Sequence, residues 1–138
     1  MKKIIFGIIG ALLALMLISC TAKPKQEISL LLWGSQDDQA LLRTLVEEFK
    51  LANDSKTYDI QFGVVGEPDA REKVLGDLDA SADVFSFPND QIRDLVNAGA
   101  LYEITLNKNK IINENMAGAI DAVTLDGKMY GIPFTADN

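Results

Sequence analysis

A chain of 138 residues with 48% hydrophobic and 24% charged residues has room for one ordinary domain, and its single cysteine excludes a disulfide framework. Its formal net charge of −7 argues against nucleic-acid binding, which needs a concentrated positive face. The lack of histidine removes both the commonest general base and the usual zinc ligand.

The chain opens with Lys2 and Lys3, followed by an apolar run from Ile4 to Ile18 and then Ser19-Cys20. The run is shorter than the roughly 20 residues that span a bilayer, so residues 1–19 read as a secretory signal. Small or medium residues before the lone cysteine resemble a bacterial lipoprotein signal, in which Cys20 is lipidated and becomes the first mature residue. Loss of Lys2 and Lys3 leaves 11 basic against 20 acidic residues, a net charge of −9. Residues 20–27 are polar, carry Lys23, Pro24 and Lys25, and read as a lipid-anchored tether to the cell membrane on its extracytoplasmic face.

Ile28 to Trp33 is a nearly continuous apolar run, as expected of a parallel strand covered on both faces. Gly34 to Asp38 breaks it and brings Asp37 and Asp38 to a helix start, where the dipole favours carboxylates. Leu41, Leu42, Leu45, Val46 and Phe49 then share one helical face, ended by Asn53-Asp54-Ser55. Tyr58, Ile60, Phe62 and Val64 alternate with polar residues or glycine and predict a second strand. Gly66-Glu67-Pro68-Asp69 predicts a turn and a second helix, with Val74, Leu75 and Leu78 as its buried stripe.

Ala82 to Gly99 organises the rest. A short apolar run, Ala82 to Phe87, feeds Pro88-Asn89-Asp90 and a helix with Ile92, Leu95 and Val96 on one face, capped by Gly99. Strand and helix alternate three times, which predicts an α/β fold with an open, mostly parallel sheet. In such sheets ligands bind beyond the carboxyl ends of the strands, so Phe87 to Asp90 is expected to line a binding mouth. Leu101, Tyr102, Ile104 and Leu106 read as an apolar docking segment, and Asn107 to Asn115 as a polar stretch around Ile111 and Ile112. A short helix is expected over Met116 to Ile120. Ala122 to Leu125 and Lys128 to Ile132 flank Asp126-Gly127, a strong hairpin signal. The sequence stops on loop-forming residues after Pro133 with no closing helix, so residues 28–138 read as a fragment truncated in mid-domain.

Several features fall in one order: the lipoprotein-like signal, Leu32-Trp33, Asp83-Val84-Phe85, Asn97-Ala98-Gly99-Ala100-Leu101, and Asp126 to Phe134. Together they resemble the extracellular solute-binding proteins of the maltose and oligosaccharide type, the receptors of bacterial ABC importers. The resemblance implies the periplasmic-binding-protein fold, two α/β lobes about a sugar cleft, a membrane permease as partner, no cofactor and no catalysis. By position it implies sugar contacts at Asp37, Asp38, Phe87, Asp90, Asp137 and Asn138. Phe87 stands where relatives carry tryptophan, and Asp38 where the maltose receptor carries lysine. These departures argue against maltose itself and leave the carbohydrate class standing.

The residue types suit that chemistry. Fixed carboxylates and amides can orient sugar hydroxyls, which donate and accept, while an aromatic ring covers the apolar side of a pyranose. Other readings stay open. Asp37 and Asp90 could cap helices, Asp38 could be a solvated charge, and Trp33 could be core rather than a second sugar platform. The clustered acids would equally suit a receptor for a polyamine or other cationic solute on the same fold. A glycoside hydrolase using Asp37 and Asp90 lacks support from any nucleophile elbow or phosphate loop, and a lipoprotein without ligand is a third possibility.

Overall fold

The computed structural model describes residues 25–135; the signal segment and Cys20 lie outside them. Strand β1 (Glu27–Gly34) pairs in parallel with β2 (Thr57–Val64) along its full length, from Glu27 opposite Thr57 to Gly34 opposite Val64. On its other side it pairs in parallel with β3 (Val84–Phe85), giving the order β2-β1-β3. A central strand is bonded at both edges and covered on both faces, which is why β1 is apolar almost without interruption. The alternation of β2 marks one buried face: Tyr58, Ile60 and Phe62 are half-buried, whereas Asp59 and Gln61 are exposed.

Helix α1 (Gln39–Ala52) covers that face. Phe49 meets the Tyr58 ring edge-on at 4.9 Å, and the Arg43 guanidinium lies 4.3 Å above Phe62. Arg43 and Phe49 each stand three residues from the buried Val46, so the two contacts flank it on either side. Of the five apolar positions expected to be buried together, only Val46 is, and Leu42 is half-buried; Leu41, Leu45 and Phe49 are exposed. Their arc is wider than a three-stranded sheet can cover.

Helix α2 (Glu67–Gly76) starts with Pro68 in its first turn, as expected, but buries Ala70 and Val74, each 1% exposed. Leu75 and Leu78 are exposed, which corrects the expected stripe. The helix stops at Gly76, because the Asp77 carboxylate accepts the N–H groups of Asp79 and Ala80, both at 3.1 Å, and turns the chain before Leu78 can join the helix.

The third strand is also shorter than the Ala82–Phe87 run suggests. The N–H of Asp83 donates to Leu31 O at 2.9 Å, while the Asp83 carboxylate accepts the Leu31 N–H at 2.8 Å. A side chain thus takes the donor that a longer strand would have met with its own carbonyl, and Pro88 bars extension at the other end. A 3-10 turn at Asn89–Gln91 leads into α3 (Ile92–Asn97), which buries Ile92 and Leu95. Gly99, at φ 72°, closes it as expected: its N–H donates to Val96 O at 3.0 Å and that of Ala100 to Leu95 O at 2.9 Å.

The expected docking segment beyond Gly99 is only partly docked. Ile104 donates its N–H to Met129 O at 2.7 Å, yet Tyr102 is 92% exposed. The polar stretch that follows is helical as α4 (Lys108–Glu114), with Asn115 Nδ2 donating to Ile111 O at 2.8 Å. Helix α5 (Ala117–Ala122) starts one residue after Met116 and takes up Ala122, which shortens the hairpin to β4 (Thr124–Leu125) and β5 (Lys128–Met129). Asp126 and Gly127, at φ 51° and 78°, form the two-residue turn expected between them. Among the described residues no helix is long and apolar enough to cross a membrane.

Candidate functional site

Among the described residues the strand order has one topological switch point, between the ends of β1 and β3. From β1 the chain moves sideways to β2, then returns across β1 to β3. The loops leaving β1 and β3 therefore diverge, and the crevice between them is the switch point at which open α/β sheets bind ligands. Right-handed crossovers put α1 on one face and α2 on the other. The loop after β1 carries Asp37 and Asp38; the loop after β3 carries Phe87 and Asp90. Asp137 and Asn138 lie outside the described residues.

Each candidate has a distinct setting. Asp37 is exposed in the turn before α1, and Asp90 is exposed in the 3-10 turn. Asp38 is half-buried and engaged locally: Ser35 Oγ donates to its carboxylate at 2.7 Å and accepts its N–H at 3.2 Å. This reciprocal turn sets the path of the loop and leaves the neighbouring Asp37 facing water. Asp37 and Asp90 do not cap helices with their side chains: the residue at the start of α1 is Asp38, which serves with its carbonyl, accepting Leu42 N–H at 2.9 Å.

Phe87 ends a row of three aromatic rings. Trp33 at the end of β1 lies 6.3 Å from Phe85 on β3, and Phe85 lies 5.7 Å from Phe87, with the ring planes inclined at 52° and 48°. Trp33 and Phe85 face each other because they are paired in register, and Phe87 follows two residues on. All three rings are half-buried. At the other end of the row, Trp33 lies over the bare backbone of Gly63, where a Cβ would sit 2.6 Å from the indole Cδ1. The row thus runs from β2 across β1 and β3 to the mouth. The far edge of Phe87 reaches the hairpin, since a Cβ on Gly131 would lie 3.8 Å from Phe87 Cζ.

Among the described residues the acids are not gathered into a group able to hold a metal ion. A depression of about 220 Å³ lies elsewhere, lined by residues including Met116, Ala119, Pro133 and Phe134, and it shares no residue with the strand-end loops. Four residues that shape the mouth escape sequence reading: Ser35, Gln39, Asp83 and Gln91. Ser35 alone carries a local sign, its three-residue spacing to Asp38. The others bond, wholly or in part, to chain segments that only the folded sheet brings near.

A sequence profile of the bacterial extracellular solute-binding proteins matches residues 44–138. No curated protein matches the chain. Among solved structures it is similar to the maltodextrin-binding protein MalE1 of L. casei BL23, at 27% identity and a TM-score of 0.69, over 78% of this chain and 29% of that one. A structure solved with acarbose is 28% identical with a TM-score of 0.71, over 75% of this chain and 29% of its own. A cyclo/maltodextrin-binding protein complexed with maltotetraose is 25% identical with a TM-score of 0.62, over 82% and 29%. The chain thus spans less than a third of the length of these proteins.

Proposed function

Because the chain belongs to the bacterial extracellular solute-binding proteins, we propose that it captures a sugar or oligosaccharide outside the cytoplasm and delivers it to an ABC-type membrane permease. The observation that carries this reading is the placement of Phe87 and of the exposed Asp37 and Asp90 on the two loops that diverge at the switch point. Phe87 offers a ring to the apolar side of a pyranose, and its inclined contact with Phe85 holds it there. Asp37 and Asp90 accept hydrogen bonds from sugar hydroxyls, and Asp38, Asp137 and Asn138 extend the polar set. Water-facing carboxylates suit a ligand that arrives hydrated and exchanges its hydroxyl partners one for one. The solute leaves unchanged, as the family is one of transport receptors rather than enzymes.

In this reading residues 1–19 are the lipoprotein signal, Cys20 carries the lipid, residues 20–27 are the tether, and residues 28–138 belong to the amino-terminal lobe. The neighbours solved with acarbose and with maltotetraose support an oligosaccharide as solute.

Calorimetry of the full-length protein against maltotetraose, a panel of other oligosaccharides and spermidine tests the reading. Heat from a sugar that weakens about tenfold or more with Phe87→Ala sustains it. Heat from spermidine alone overturns it in favour of a receptor for cations. For the anchor, Cys20→Ala is expected to abolish incorporation of labelled fatty acid into the protein.

A further inference from the structure

We propose that Gln39 and Gln91 are positioning residues: their side-chain amides tie the loops after β1 and β3 to the exit of β2, so that the mouth is held as one unit before a solute arrives. The role in solute capture rests on the function proposed above.

The Gln39 amide nitrogen donates to three carbonyls, Gly34 O at 3.1 Å, Ser35 O at 3.3 Å and Gly63 O at 3.3 Å. Two of these belong to the end of β1 and the loop that carries Asp37 and Asp38; the third belongs to β2. With two N–H groups for three acceptors, one hydrogen is shared, and the amide sits at the convergence of the two strand ends. It is half-buried, so the carbonyls it serves are partly withdrawn from water. Gln39 stands in the first turn of α1, which fixes its own backbone while it fixes the loop.

Gln91 does the same on the other side. Its Nε2 donates to Pro68 O at 3.0 Å and its Oε1 accepts the Arg71 N–H at 3.3 Å, so both ends of the amide grip the first turns of α2, just beyond β2. Ser86 Oγ adds a bond to the Glu67 carboxylate at 3.3 Å on the same helix start. Asp90 immediately precedes Gln91, and Phe87 immediately follows Ser86, so the two residues expected to touch solute lie between two anchored ones. Both braces converge on the β2 exit, although β2 itself contributes no candidate contact.

Such bracing matters because loops that must be ordered on binding lower affinity by the cost of ordering them. Gln39→Met and Gln91→Met keep side-chain length and remove the amide. In the full-length protein without solute, each is expected to speed amide hydrogen exchange in its own loop, residues 35–38 or 88–91, and to weaken binding of the best sugar of the panel about tenfold. Lys50→Met is the control. It removes the 3.1 Å ion pair to Glu47 near the far end of α1, and is expected to lower stability slightly while leaving affinity unchanged. If affinity falls equally in the control, the glutamines act through general stability and the proposal fails. If exchange rises with unchanged affinity, it fails as well. If the wild type binds none of the sugars, the functional reading fails, and exchange alone decides the brace: a local rise sustains it and no change overturns it. Should Gln39→Met not fold, Gln91→Met, at the end of an exposed turn, carries the test.

Discussion

Gly63→Ala is the most informative single change. A Cβ at this position would sit 2.6 Å from Trp33 Cδ1 and 2.8 Å from Nε1, well inside van der Waals contact, so the indole has to move. It cannot move freely, because its other side faces Phe85 at 6.3 Å and Phe85 in turn faces Phe87. Forcing a methyl into a packed site costs about 1–3 kcal/mol. Stiffening of the unfolded chain by alanine returns about 0.4–1 kcal/mol. The net expectation is a loss of roughly 1–2 kcal/mol, read from urea unfolding followed by circular dichroism. Trp33 is the only tryptophan in the chain, so its emission should shift in the folded state of the same variant. The cycle is completed with Trp33→Phe, whose smaller ring leaves space for the methyl: the double variant is expected to recover about 1 kcal/mol relative to the sum of the single losses. Neutral stability with unchanged emission, or strictly additive losses, would refute the claim that Gly63 is a seat for the indole.

Leu95, on α3, is fully buried, and Leu95→Ala should cost about 2–5 kcal/mol in the same unfolding assay. Asp83→Ala removes the acceptor of the Leu31 N–H and is expected to lower stability by about 1 kcal/mol, with faster exchange of the Leu31 amide as its signature. Gly127→Ala places a Cβ in the left-handed region at φ 78° and should cost about 1–2 kcal/mol, loosening the Tyr130 amide that donates to Val123. Residues 25–135 produced alone leave Leu41, Leu45 and Val84 exposed, at 49%, 42% and 52%, and are expected to bind a hydrophobic dye and self-associate; a monomer that binds no dye would count against this.

What the sequence revealed follows from where each signal is encoded. β1, β2 and α1 are periodic over eight or more residues, and the Asp126-Gly127 turn and the Gly99 cap are local chemistry, so all are legible without coordinates. Helix α4 was not, because Ile111 and Ile112 are adjacent rather than spaced by three or four, and asparagine ranks low as a helix former. The extent of β3 was hidden for another reason: the carboxylate that shortens it bonds a residue 52 positions earlier. The positions of Asp37, Asp38, Phe87 and Asp90 on loops at strand ends were legible, since the alternation of strand and helix alone puts them there. The distinction between an Asp38 engaged by Ser35 and a free Asp37 was not, and neither were the glutamine braces, which obey no period.

The two flanks of β1 differ in durability. Eight residue pairs join it to β2, beginning with Glu27 and Thr57, 30 positions apart; two pairs join it to β3, where Leu32 and Val84 are 52 positions apart. Closing the longer span adds less than about 1 kcal/mol, so the number of pairs decides which seam forms early. The β1–β2 unit is expected to be the seed on which the rest condenses, and the β1–β3 seam to close late and fray first. In the proposed reading the mouth straddles that weaker seam, so a solute bridging its two lips would also slow the fraying, and occupancy and protection from unfolding would rise together.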